Sequence, residues 1–200
     1  MQKLVLATNN IHKIREISQI IEGLPLQLLS KDDFENFPDV EETGELLEDN
    51  AILKAEAIYE FTGLPSMADD SGLEVEALNG KPGVKSARWA GPGCTFADNN
   101  RKLLKALQGV PTEKRGAAFR CVIAICFGPG DTELVEGRVE GIITEEIRGQ
   151  EGFGYDPLFY FPQLKQTFAE ISPEQKNKIS HRALAVLGAK QILQQRFGIK

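Results

Sequence analysis

The sequence predicts an α/β protein built on a mixed β-sheet, and three observations predict it. A strand, a turn and a helix open the chain; further helical stretches alternate with strands; and a two-stranded hairpin lies past the middle. With 200 residues, 42% hydrophobic and 26% charged, the composition is that of an ordinary globular protein. One domain spanning 1–200 is expected, with a smaller lobe around residues 115–145.

Residues 3–7 read as a short buried strand, and 11–23 carry Ile11, Ile14, Ile17, Ile20 and Ile21 on one helical stripe. Residues 27–40 are weakly patterned. Helical spacing returns over 46–61 through Leu47, Ala51, Leu53, Ala55 and Ile58, and stops at Thr62-Gly63. A strand over 72–77 leads into the turn cluster Asn79-Gly80-Lys81-Pro82-Gly83, and 86–93 reads as a connector. Residues 98–108 are helical, with Leu103, Leu104 and Leu107 inward. Strands over 117–127 and 133–143 meet at Gly128-Pro129-Gly130-Asp131, a hairpin signal. The chain is loop-like from 149 to 162, and a helix over 180–197 closes it with Leu184, Leu187, Ile192 and Leu193 on its apolar side. No internal repeat is present.

A net charge of −6 excludes electrostatic wrapping of long nucleic acid, whose affinity comes from phosphate neutralisation by Lys and Arg. No apolar run reaches the roughly 18 residues of a membrane span, and the N-terminus turns polar too early for a signal peptide. The expectation is a cytoplasmic protein with no membrane and no nucleic-acid partner. Three cysteines, two of them in the apolar run 117–127, point to buried thiols rather than disulfides or zinc.

The chemistry concentrates in five clusters. Asp69 and Asp70 stand side by side where an apolar run breaks into Ser71-Gly72. Adjacent acids repel and resist desolvation, so they persist where a hard cation or a proton transfer uses them, although an Asx-type turn also suits Asp69. Thr8-Asn9-Asn10-Ile11-His12-Lys13 enters a helix whose free N–H groups favour an anion, with Thr8 or Asn9 as cap. Glu41-Glu42-Thr43-Gly44 lies in the acidic stretch 39–49. Magnesium binds through one or two carboxylates plus phosphates and waters, so Asp70 with one glutamate there suffices. Phe153-Gly154-Tyr155-Asp156-Pro157 offers aromatic faces on which a base can stack. Lys176, Ser180, His181 and Arg182 form a local cationic group, and the Arg182 fork can donate to a carbonyl or a phosphate.

Together these clusters, in this order, resemble the inosine triphosphate pyrophosphatase family, and the resemblance runs from Met1 to the last helix. Pro82-Gly83-Val84-Lys85-Ser86-Ala87-Arg88 also resembles the family's connector after the acid pair. The resemblance implies an elongated mixed sheet flanked by helices, with two lobes and a central cleft. It further implies a cytoplasmic, magnesium-dependent homodimer that hydrolyses ITP, dITP and XTP to the monophosphate and pyrophosphate. By resemblance Thr8, Asn9, Asn10, Ile11, His12 and Lys13 hold the triphosphate, Glu42 and Asp70 bind metal, Asp70 accepts the proton, and Ser71 touches substrate. Phe153, Gly154, Tyr155, Asp156, Lys176, His181 and Arg182 complete the nucleotide site. Glu41 is the adjacent alternative ligand; Glu42 is taken because it directly precedes Thr43-Gly44. A pyrophosphatase for modified pyrimidine nucleotides and a nucleotide sensor are the rival readings.

Overall fold

The structure is a computed structural model that describes residues 1–199. Its elements run β1 (Gln2–Leu6), α1 (Ile11–Ile21), β2 (Leu26–Leu29), α2 (Leu47–Thr62), β3 (Ser66–Val75), β4 (Pro82–Gly83) and α3 (Phe96–Ala106). They continue with β5 (Gly116–Gly128), β6 (Asp131–Ile143), β7 (Phe159–Phe161), β8 (Gln166–Thr167), α4 (Pro173–Ile179) and α5 (His181–Phe197).

The strands form one sheet in the order β2-β1-β3-β5-β6-β7-β8, with β4 paired to β3. β1 runs parallel to β2, with Leu4 opposite Leu28, and parallel to β3, with Leu6 opposite Met67. The pairs β3–β4, β6–β7 and β7–β8 are antiparallel. The sheet is therefore mixed and flanked by helices, as the alternation of elements predicted.

The chain divides into two compact units, each with its own core. The first comprises Met1–Asp70, Cys121–Gly137 and the segment from Arg182. It buries Leu4, Leu6, Ile17, Ile21, Met67, Ile123, Ile125, Val186 and Leu193 together. The second comprises Ser71–Arg120 and Arg138–His181, and packs Leu73, Val75, Leu103, Leu107, Phe119, Phe159 and Phe168. The stretch 115–145 is the β5–β6 hairpin, which turns through Pro129 and the left-handed Gly130. Residues 121–137 of it belong to the first unit and the remainder to the second.

Several elements differ from the sequence-based expectation: the short strands β2, β4, β7 and β8 were not expected, and β7 falls within 149–162, read as loop, because three residues paired between neighbours leave too short a pattern to see. β3 does not begin at Gly72 but runs from Ser66 straight through Asp69 and Asp70. The acid pair is therefore not an Asx turn; neighbouring cations answer its charge and the strand continues. In α5 the buried face is Ala183, Ala185, Val186, Ala189 and Leu193, whereas Leu184 and Leu187 are 42% and 44% exposed. Close packing explains the choice of small residues, because a Cβ on Gly188 would lie 2.5 Å from Val135 Cγ1. Finally, α4 was not expected; Ser172 caps it by accepting from Gln175 N, and Pro173 sits in its first turn, where a missing N–H costs nothing.

Candidate active site

In the first unit, α1 starts beside the first strand because Asn10 caps it. Its side-chain oxygen accepts from His12 N at 3.0 Å and Lys13 N at 3.5 Å. The cap is thus Asn10, not Thr8 or Asn9. Thr8 Oγ1 instead accepts from Asn10 N at 3.2 Å, and Asn9 Nδ2 donates to Asp39 at 3.2 Å. Ile11 and His12 lie on the exposed side of the first turn, while Lys13 turns inward.

Lys13 Nζ reaches Asp69 Oδ2 at 3.1 Å, and Arg182 Nε reaches the same oxygen at 3.1 Å. Arg182 also pairs with Glu16. Burial alone would raise the Asp69 carboxyl, but Lys13, Arg182 and Lys54 overcome that and hold it well below the usual carboxylate range. Asp69 Oδ1 is buried with no hydrogen-bond partner. Burial lowers Arg182 less than Asp69 and Glu16 raise it, so the guanidinium is held charged.

Beside it, Lys54 Nζ donates to Asp69 O at 2.8 Å, Glu42 Oε1 at 2.9 Å and Asp70 Oδ1 at 3.4 Å. Burial would lower its value, yet Asp70, Asp69 and Glu42 raise it on balance. Asp70 shifts the other way from Asp69. Burial pushes it up, Lys54 and Lys13 pull it down, and Glu42 and Asp69 add to the rise, leaving it above the ordinary value. Asn50, fully buried on α2, accepts from Gly44 N at 2.7 Å and donates to Asp70 Oδ2 at 3.2 Å. Gly44 is required there, since a Cβ would lie 2.6 Å from Asp49 Cβ and 2.8 Å from Asn50 Oδ1. Glu42 meets this centre, while Glu41 is exposed.

Sequence reasoning missed Lys54, Asn50 and Glu16. The signal was present in α2: Asn50 and Lys54 are polar residues spaced i, i+4 within the buried face Leu47, Ala51, Ala55 and Ile58. Cys121 lies against Asp69 at 3.9 Å, but burial first and the Asp69 charge second push its thiol up to about 12, so it stays protonated and inert.

In the second unit, the 152–156 loop turns through two left-handed glycines, Gly152 and Gly154. Asp156 ties it together by accepting from Phe153 N at 2.8 Å and from Lys176 Nζ at 2.6 Å. The Lys176 ammonium sits 4.8 Å from the centre of the Phe153 ring, a cation–π contact. Tyr155 is buried and donates to Ser86 O at 2.9 Å, so its ring packs the core. His181 is 3% exposed and stacks on Phe119 at 4.5 Å. Ser71 is half-buried on β3, next in chain to Asp70.

Thus Lys13, Glu42, Asp69, Asp70 and Arg182 converge within the first unit, while Phe153, Gly154, Asp156 and Lys176 converge within the second. The fold and site together define an α/β protein with a mixed sheet whose interior strand β3 carries buried acids answered by lysines and an arginine. Residues 4–192 match the Ham1 family, and the chain belongs to that family.

Its relatives agree along nearly their whole length. The dITP/XTP pyrophosphatase of Desulforamulus reducens is 53% identical over 191 residues, covering 96% of this chain and 95% of that one. The dITP/XTP pyrophosphatase of Geobacter sulfurreducens is 51% identical, covering 94% and 95%. Among solved structures, the HAM1 protein from Coxiella burnetii superposes with a TM-score of 0.90 at 41% identity, covering 98% of this chain and 100% of that one. The nucleoside-triphosphatase (dITP/XTP pyrophosphatase) from Mycobacterium abscessus gives a TM-score of 0.77 at 42% identity, covering 94% and 98%.

Proposed function

We propose that the chain hydrolyses the aberrant purine nucleoside triphosphates ITP, dITP and XTP to the monophosphate and pyrophosphate, and so cleanses the nucleotide pool. The single observation that carries this is the convergence of Glu42 and Asp70 on the Lys54 ammonium, with Lys13 beside them on Asp69. The names of the relatives support the same chemistry.

Magnesium suits this donor set. Glu42 and Asp70 offer oxygen alone, and both already meet one positive charge, so they converge where a cation is stabilised. When bound there it would hold phosphate oxygens and draw off the charge developing at the α-phosphorus.

The chain's own residues supply the rest. Asp70, its carboxyl raised by burial, accepts the proton of the attacking water. The water oxygen bonds to the α-phosphorus, the α–β anhydride bond breaks, and pyrophosphate leaves with that electron pair. Lys13 and the N-terminus of α1 neutralise the polyphosphate, with Thr8, Asn9 and Asn10 lining the approach. Asn50 holds Asp70 Oδ2 by donation, which leaves Oδ1 as the oxygen facing Lys54.

Base choice rests on donors. Hypoxanthine and xanthine present a 6-oxo acceptor where adenine presents an amino donor. By the family resemblance, Arg182, whose guanidinium carries N–H donors and no acceptor, matches the oxo group and leaves an adenine amine unpaired. Phe153 offers the stacking face. The family resemblance also supports a cytoplasmic homodimer, which sedimentation of the purified protein tests.

Pyrophosphate release from ITP, XTP, dITP, GTP, ATP and CTP, with and without magnesium, is the decisive assay. Release from ITP, dITP and XTP that greatly exceeds release from ATP and depends on magnesium is expected. Equal turnover of ATP, or turnover confined to CTP, overturns the reading.

A further inference from the structure

Helix α3 reaches the aromatic loop of the second unit at two points on one face. Phe96 and Asn100 are four residues apart, so their side chains lie one above the other. The Phe96 ring meets the Phe153 ring at 5.9 Å with the planes inclined at 44°. The Asn100 Nδ2 donates to the carbonyl of Gly154 at 2.9 Å. That carbonyl only accepts, which fixes the orientation of the amide: the NH2 faces Gly154 and Oδ1 faces away.

Both side chains are poor choices if stability alone is at stake. Phe96 leaves 43% of its surface in water at the first position of a helix. Asn100 is 5% exposed, yet its Oδ1 has no hydrogen-bond partner, a cost that an apolar residue of similar shape would avoid. Each instead acts on the two residues next to the Lys176–Asp156 pair. Gly154 has φ +65, a left-handed turn that leaves the loop to be steered by whatever grips its carbonyl.

We propose that α3 is a specificity-determining splint, in which Phe96 extends the aromatic wall begun by Phe153 and Asn100 fixes the Gly154 carbonyl so that this wall is preset for a purine. The inference rests on the reading of Phe153 as the base-stacking residue. Asn100 is a positioning residue that acts through the loop. Phe96 adds its own ring to the wall. A preset wall lowers the ordering cost of binding the base and leaves the phosphate end unaffected.

Two variants and two inhibitors test it. IMP carries the base, whereas tripolyphosphate carries only the phosphates. In Asn100→Leu, the KM for ITP and the inhibition constant for IMP rise by about fivefold, the worth of one net hydrogen bond. In Phe96→Ala both rise by at least about fivefold, the low end of what an aromatic stacking partner contributes. In both variants kcat stays within about twofold and inhibition by tripolyphosphate is unchanged, a split that general misfolding would not produce. Wild-type IMP inhibition in both variants overturns the splint, as does an equal loss of IMP and tripolyphosphate inhibition. A wild-type protein that neither cleaves ITP nor is inhibited by IMP overturns the functional reading, and the splint with it.

Discussion

Asp70 holds a carboxyl that burial raises above its ordinary value, and this makes one side chain both useful and costly. A carboxyl whose value is higher folded than unfolded binds more protons in the folded state, so its ionisation removes stability as pH rises through that interval. At neutral pH the charged Asp70 is therefore a net burden on the fold. Asp70→Asn keeps the shape, sheds the burden and loses the proton acceptor. Its kcat should fall by at least about 100-fold, the lower bound for a general base. Its melting temperature relative to the wild type should fall as pH drops from 7 toward 4, where the wild-type burden disappears. Near-normal kcat under magnesium, or a melting difference that does not change between pH 7 and pH 4, would rule the assignment out. Lys54 has the opposite sign. Its value is raised on balance by Asp70, Asp69 and Glu42, so its stabilisation is complete below the unfolded lysine value of about 10.4 and is lost as pH rises through the folded one. Lys54→Met strips the counter-charge from three buried or half-buried acids and should cost about 3–5 kcal/mol. Adding Glu42→Gln removes one stranded charge and should restore part of it. A double variant no more stable than Lys54→Met in denaturant unfolding would refute that coupling.

Helices and strands show how far the sequence is legible and where it stops. The first strand, α1, α2, the hairpin and α5 follow from apolar periodicity, because burial on one face leaves a 2- or 3.6-residue pattern. β3 was cut short because charges read as a stop, and only the partners Lys13, Lys54 and Arg182, 56, 15 and 113 residues away, explain why they are not. The same long range hid Lys54 and Glu16, whose value lies in what folding brings to them. Five motifs were legible because their residue types and order are distinctive; the Phe96–Asn100 face was not, since neither residue belongs to one. α5 carries a different lesson. Its larger residues, Leu184 and Leu187, face out and its alanines face in, because Gly188 brings the helix against Val135. Gly188→Val would force a branched side chain into that contact and should destabilise the fold by about 1–3 kcal/mol, the usual cost of overpacking. Leu187→Gln should stay within about 0.5 kcal/mol of wild type, as an exposed substitution does. Chemical denaturation of both checks this; a costly Leu187→Gln beside a harmless Gly188→Val would mean the helix is turned the other way.

For the whole molecule, the question is whether two cores behave as one cooperative structure. β3, β5 and β6 each contribute residues to both units, β3 passing from the first to the second between Asp70 and Ser71. A strand cannot unravel in one unit and keep its hydrogen-bond ladder intact up to the boundary, because the backbone on either side of the peptide bond is the same chain. β3 and β5 are also buried along much of their length, with Ile123 and Ile125 of β5 in the first core and Phe119 in the second. Melting either core should therefore remove strand residues the other requires. Calorimetry should show one transition, with van't Hoff and calorimetric enthalpies equal. Leu193→Ala in the first core and Leu103→Ala in the second, both fully buried, should each cost about 2–5 kcal/mol and lower the same single transition. If Leu103→Ala instead splits the melt into two steps, with the Leu193 core unfolding at its original temperature, the shared strands do not couple the units.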